Sequence, residues 1–171
     1  GSRMGNSFRT PEQQCHKLRL GSQSVLMIFE YPPDEDYKPI VILAHGMGGC
    51  SDSGYIRRVG AYLASKGYGV ILMNHRGSGI GMGLSDTLWN GGSSEDLGAV
   101  IEFVLTIRPH HPILVIGFSL SGNILLKYLG EKQIIPSYLS RALAVNPPVD
   151  LRTTSFMISN SRINRIFNNY Y

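Results

Sequence analysis

One stretch constrains this chain more than any other: Ile113-Leu114-Val115-Ile116-Gly117-Phe118-Ser119-Leu120-Ser121-Gly122. The four leading apolar residues make a short strand of the kind that is covered on both faces of a sheet. Small residues stand two before and two after Ser119, and a helix follows. That pattern demands a sharp strand-to-helix turn, in which the small residues let the two elements approach closely. The serine is pushed outward, its hydroxyl at the positive end of the helix. An ordinary glycine- and serine-rich turn would share the string. A phosphate cradle would need G-K-[ST], or G-x-G-x-x-G after the first strand, and neither occurs. Ser121 stands where glycine is usual. It is still small and Gly122 follows, so the turn tolerates it.

The elements around this turn set the fold class. Residues 15–20 and 22–30 read as two strands joined at Gly21-Ser22, with Val25, Met27 and Phe29 on one face. Pro32-Pro33-Asp34-Glu35-Asp36 is a loop. Ile40–Ala44 is a continuous apolar strand ending in His45-Gly46. Residues 55–66 carry Ile56, Val59, Tyr62 and Leu63 at helical spacing, and Gly67 stops that helix. Residues 70–73 are the next buried strand, followed by a polar, glycine-rich loop over 77–94. Ser93 is placed to cap the next helix, and Glu95 and Asp96 favour its positive end. Leu97, Val100, Ile101, Val104 and Leu105 form its apolar stripe. A helix over 122–129 and a strand over 139–145 come next, then Asn146-Pro147-Pro148. Residues 151–171 could be helical but carry no clear amphipathic stripe.

Two hairpin-like strands followed by β-α-β-α-β-α-β predict an α/β fold with a mostly parallel, doubly wound sheet. Such sheets place their sites at the carboxyl ends of the strands. His45, His75, Ser119 and Asn146 therefore share one edge, while His110 and His111 precede their strand and sit at the other.

A serine exposed in this way is the nucleophile position of an acyl-transfer enzyme. Acyl transfer builds negative charge on a carbonyl oxygen, which preorganised N–H donors stabilise. The segment Ala44-His45-Gly46-Met47-Gly48-Gly49 follows a buried strand, and its glycines free the backbone to aim such donors. The backbone N–H groups of Met47 and Leu120 are the expected oxyanion donors. His45, Gly46, Gly117 and Ser121 support them. Taken alone, the segment would also serve as a plain turn.

HGMGG, NHRGSG, GSSEDLGAVIEFV and GFSLSGN, in that order between Lys38 and Pro148, resemble the α/β-hydrolases and, within them, the YheT-like branch. The resemblance implies that residues 4–150 are the N-terminal part of an α/β-hydrolase core. It implies that 151–171 begin a cap or connecting segment. It implies hydrolysis of small-molecule or lipid carboxylic esters through an acyl-enzyme; some members cut acylglycerols or phospholipids. Arg76 and Asp96 match positions read as a structural pair, with two unrelated surface charges as the alternative. No cofactor and no metal are expected, because serine acyl transfer needs neither.

A serine also needs a histidine base and an acid to orient it, in the chain order Ser, acid, His for this fold. After Ser119 the only acids are Glu131 and Asp150, and no histidine follows residue 111. His75 ends a strand two positions from the serine strand, an awkward ~10 Å. Asp150 is either an acid in a variant triad or a loop residue after Pro147-Pro148. The expectation is that the triad's acid and histidine lie outside residues 1–171. Strand 139–145 would then leave an apolar edge open to further chain, a partner segment or self-association. A non-catalytic binding module of the same fold is the competing reading.

Composition narrows the rest. At 43% hydrophobic and 16% charged residues, the chain is too apolar for disorder. A net charge of +4 is mildly basic. Arg152, Arg162 and Arg165 read as a solvated segment rather than a nucleic-acid surface. Cys15 and Cys50 have no metal-ligand spacing, which points to reduced thiols and a cytoplasmic protein. Gly1-Ser2-Arg3 before Met4 reads as a cloning remnant. The apolar runs fall far short of the ~20 residues that span a bilayer.

Overall fold

The computed structural model describes residues 13–21, 24–131 and 135–160. Gly1-Ser2-Arg3, Ser22, Arg162 and Arg165 lie outside the described residues. Six strands form one sheet: β1 (Gln14–Leu20), β2 (Ser24–Tyr31), β3 (Ile40–Ala44), β4 (Gly69–Asn74), β5 (Ile113–Phe118) and β6 (Leu139–Val145). Their order across the sheet is β1-β2-β4-β3-β5-β6. The first two pairings are antiparallel, and β4, β3, β5 and β6 run parallel. Among the described residues four α-helices accompany them: α1 (Gly54–Ala64), α2 (Ser94–Ile107), α3 (Leu120–Glu131) and α4 (Leu151–Asn160). The mixed α/β fold expected from the alternation is the fold observed.

The apolar runs of β3 and β4 are continuous because helices cover both faces. Val41, Leu43, Val70 and Leu72 point to one side, where they meet Ile56 of α1. Ile40, Ile42, Ile71 and Met73 point to the other, against Leu97, Val100 and Ile101 of α2 and Ile124 and Leu125 of α3. The period of two along each strand produces this division. Each fully buried Leu, Ile or Val stabilises the fold by about 1.5–3 kcal/mol relative to exposure. In β2, Val25, Met27 and Phe29 do share a face, yet the fully buried side chains are Leu26 and Ile28 on the opposite one.

Several element ends differ from the sequence reading. Helix α1 starts at Gly54 and ends at Ala64, where Gly67 takes φ 81° and its N–H donates to the Ala64 carbonyl. Ser93 precedes α2 but does not cap it through its side chain. Its Oγ instead accepts the Asn90 N–H at 3.0 Å, closing the preceding turn. Helix α3 begins two residues earlier than predicted, directly after Ser119. Residues 151–160 are helical, and none of their side chains is buried. Among the described residues, strand β6 pairs only with β5, and Leu143 on it is 54% exposed.

One buried carboxylate had no sequence signal. Glu30 of β2 accepts hydrogen bonds from Arg108 Nε at 2.9 Å and pairs with His16 Nε2 at 2.7 Å, so partners offset its desolvation. No described helix is long and apolar enough to cross a membrane. Both cysteines are free thiols.

Candidate active site

Ser119 sits between β5 and α3 at φ 52°, a conformation that L side chains rarely adopt. Its backbone holds that geometry through three bonds. Ser119 N–H donates to the Val145 carbonyl at 2.8 Å, and its own carbonyl accepts from Gly122 N–H at 2.8 Å and Asn123 N–H at 3.3 Å. Gly117 is obligatory here: a Cβ would lie 2.4 Å from the Ser121 carbonyl oxygen. The side chain of Ser119 is exposed at the first turn of α3. Leu120 begins that helix, so its N–H has no intrahelical acceptor.

The turn after β3 comes up against this serine. A Cβ on Gly46 would stand 3.2 Å from Ser119 Cβ. Gly46 N–H donates to the Tyr55 hydroxyl at 2.9 Å, and the Gly46 carbonyl accepts from Gly49 N–H at 3.1 Å. Met47, Ser119 and Leu120 together border a cavity of about 530 Å³. The rest of its wall is mostly apolar, with Pro147, Pro148, Leu151 and Ile158 joined by the polar Asn146, Thr154 and Ser155. Trp89, Phe118 and the 80–84 loop do not border it. The walls come instead from the end of β6 and from α4.

Beneath the turn lies a buried polar layer. His45, His75 and Ser121 are all but fully buried. The Ser121 hydroxyl lies 2.5 Å from the His45 carbonyl oxygen and 2.7 Å from His75 Nε2. A hydroxyl has one proton and a carbonyl can only accept, so Ser121 donates to His45 and accepts from His75 Nε2–H. His75 Nδ1 is then the bare nitrogen, and it has no hydrogen-bond partner. His45 Nδ1 donates to the Gly46 carbonyl at 2.8 Å, leaving Nε2 to accept the His75 backbone N–H at 3.4 Å. Trp89 stacks on the His75 ring at 4.0 Å and meets His45 edge-on at 5.5 Å. Burial lowers the His45 pKa from 6.5, partly opposed by the Gly46 carbonyl. Burial lowers His75 much further, helped by the neighbouring His45 and Arg76 charges. Both imidazoles are neutral at neutral pH.

Two further ties hold the loops. Ser51 N–H donates to Asn74 Oδ1 at 2.8 Å, and Asn74 Nδ2 donates to Ser51 Oγ at 3.0 Å. Arg76 Nε reaches Asp96 Oδ2 at 2.7 Å, and its Nη1 donates to Thr87 Oγ1 at 2.7 Å. Burial raises the Asp96 pKa, and the Arg76 hydrogen bond and charge oppose that rise.

Asp150 is exposed and occupied as the N-cap of α4. Oδ1 accepts Thr153 N–H at 3.0 Å and Oδ2 accepts the Thr153 hydroxyl at 2.6 Å; those bonds lower its pKa. All five histidines lie among the described residues, and none is hydrogen-bonded to Ser119. His111 sits at the opposite edge, bonded to the Lys38 carbonyl at 2.7 Å. No group of three or more His, Cys, Asp or Glu suited to a metal occurs among the described residues.

The His75–Ser121 link and the Ser51–Asn74 pair escaped the sequence reading, since each joins loops far apart in the chain. The only sequence signal was Ser121 standing where glycine is usual.

The chain matches the family profile described as the alpha/beta hydrolase fold over residues 39–166. It is 28% identical to a monoacylglycerol lipase of Saccharomyces cerevisiae over 138 residues, covering 77% of this chain and 30% of that protein. It is 33% identical to the monoacylglycerol lipase ABHD2 of Mus musculus over 94 residues, covering 54% of this chain and 22% of that protein. The chain thus spans under a third of the length of these relatives. Among solved structures, the Pyrococcus furiosus esterase Pf2001 superposes with a TM-score of 0.75 at 22% identity, covering 99% of this chain and 64% of that one. That likeness shows a shared fold.

Proposed function

Because the chain belongs to the alpha/beta hydrolase fold family, we propose that it carries the nucleophile and oxyanion hole of a serine hydrolase acting on carboxylic esters. The observation that carries this reading is the strained, exposed Ser119, bordering an apolar cavity together with Met47 and Leu120. Ser119 Oγ attacks the acyl carbonyl carbon, and its proton passes to a histidine. The oxyanion accepts hydrogen bonds from the Met47 and Leu120 N–H groups, each worth about 2.7–4 kcal/mol of transition-state stabilisation. The alcohol leaves with that proton, and water then hydrolyses the acyl-enzyme by the same route.

None of the five histidines is hydrogen-bonded to Ser119, which supports a base and an acid supplied by residues outside this sequence. The apolar cavity wall suits an acyl chain. With relatives named as monoacylglycerol lipases, it favours a lipid ester as substrate. The motifs HGMGG, NHRGSG and GFSLSGN support the YheT-like branch.

Removing the nucleophile tests the reading. In the full-length protein, Ser119→Ala should lower kcat on a p-nitrophenyl ester by about 10⁴-fold or more. Undiminished hydrolysis would overturn it. The absence of a histidine at Ser119 favours one other reading, a binding module without turnover. That reading predicts ester binding in the cavity and no hydrolysis by the full-length wild type.

A further inference from the structure

We infer that Ser121 is a positioning residue: its hydroxyl fastens the oxyanion turn to the nucleophile helix and so sets the aim of the Met47 amide. This rests on the reading of Ser119 and Met47 given above.

Two successive peptide units link Ser121 to the Met47 amide. In the His45–Gly46 unit, the carbonyl accepts the Ser121 hydroxyl and the N–H donates to the Tyr55 hydroxyl at 2.9 Å. In the Gly46–Met47 unit, the carbonyl accepts from His45 Nδ1 at 2.8 Å and from Gly49 N–H at 3.1 Å. A trans peptide is planar, with its C=O and N–H pointing opposite ways. Fixing the Gly46 carbonyl therefore fixes the direction of the Met47 N–H, away from those donors. The one flexible joint between the two units is Gly46, which has no side chain of its own to narrow its backbone torsions. Ser121 clamps the unit before that joint.

A glycine at 121 could not do this. It would leave the His45 carbonyl and the His75 Nε2–H buried without the partner they now share. Ser121 commits its single hydroxyl proton to the His45 carbonyl and accepts from His75. His75 is the brace behind it, held by its Trp89 stack at 4.0 Å. The serine thus exchanges the usual small glycine for a tether between the end of β3, the end of β4 and the start of α3.

The test is made on the full-length protein with a soluble ester. Ser121→Ala should lower kcat by about tenfold to a hundredfold with KM within about twofold, since a misdirected donor is felt only in the transition state. Affinity for a boronic-acid transition-state analogue should fall in step with kcat. Ser121→Cys, a weaker donor of nearly the same shape, should lie between alanine and wild type. If the alanine variant does not fold, the cysteine variant carries the test. Imidazole nitrogen NMR of the wild type should show His75 in the Nε2–H form, a readout independent of activity. Wild-type kcat and analogue affinity in a folded Ser121→Ala or Ser121→Cys variant would overturn the inference while leaving the nucleophile assignment standing. A wild type without Ser119-dependent hydrolysis would overturn both.

Discussion

Alanine at position 117 tests the geometry of the turn more sharply than any change to the serine itself. The added Cβ would sit 2.4 Å from the Ser121 carbonyl oxygen, 2.7 Å from its carbonyl carbon and 2.9 Å from Gly122 N. All three are backbone atoms at the start of α3, so no rotamer relieves the overlap. Restoring ordinary contact needs a shift of roughly 1 Å in the strand, the helix or both, at the upper end of the 1–3 kcal/mol typical of overpacking. Gly122→Ala is milder, with the Gly117 carbonyl oxygen at 3.0 Å and Pro147 Cβ at 3.1 Å. Gly130→Ala in α3 meets nothing within 4 Å, so the helix should gain roughly 0.5–1 kcal/mol from the lost glycine entropy. At about 2–4 °C per kcal/mol for a folding unit of about 150–250 residues, Gly117→Ala should melt about 6–12 °C below wild type. Gly122→Ala should fall between them, and Gly130→Ala should melt at or slightly above wild type. Thermal unfolding followed by circular dichroism reads the series. A Gly117→Ala protein as stable as wild type would refute the tight turn.

Two other expectations follow from buried polar groups. His45 and His75 have pKa values held below 6.5 by burial, so below that pH the unfolded chain binds more protons than the folded one. Their contribution is complete above about pH 6.5 and is lost as pH falls, each by up to about 1.4 kcal/mol per pH unit. His75→Gln should flatten the dependence of melting temperature on pH between 7.5 and 5.5; an unchanged slope would contradict the assignment. Arg76→Met strips the partner from a carboxylate whose side chain is 5% exposed and should cost about 2–3 kcal/mol, below the 3–5 of a fully buried pair because Arg76 itself reaches solvent. Asp96→Asn in the same chain should recover part of that loss in denaturant titrations, and strictly additive effects would show that the two groups are uncoupled.

The parts of this fold that were legible in sequence are those governed by local chemistry. The apolar tetrad before Gly117 and the run from Ile40 to Ala44 read as strands covered on both sides; the structure buries Ile40–Ala44, Ile113 and Val115 between α1 and the α2–α3 pair, while Leu114 and Ile116 stay partly exposed. The small-x-Ser-x-small string specifies a turn because its steric demand is met within six residues. What stayed hidden depends on loops meeting across the sheet. Ser121 looked like a neutral stand-in for glycine, since its two partners lie 46 and 76 positions away. Ser93 looked like a cap, and the nearby Asn90 amide won its oxygen instead. Glu30 carried no signal because Arg108, 78 residues on, supplies its partner. Residues 151–160 lack an amphipathic stripe, yet Asp150 caps them into a helix whose Leu151 and Ile158 border the cavity. A local cap decided that helix, where the apolar pattern was uninformative.

The most direct measurement of the central claim is covalent labelling. A fluorophosphonate is attacked by an activated serine and stays attached to its oxygen. Applied to the full-length protein and read by peptide mass spectrometry, it should add its phosphonyl mass to the peptide containing Ser119 and to no peptide of the Ser119→Ala variant. A folded wild type left unmodified at Ser119, under conditions that label a known serine hydrolase, would contradict the account.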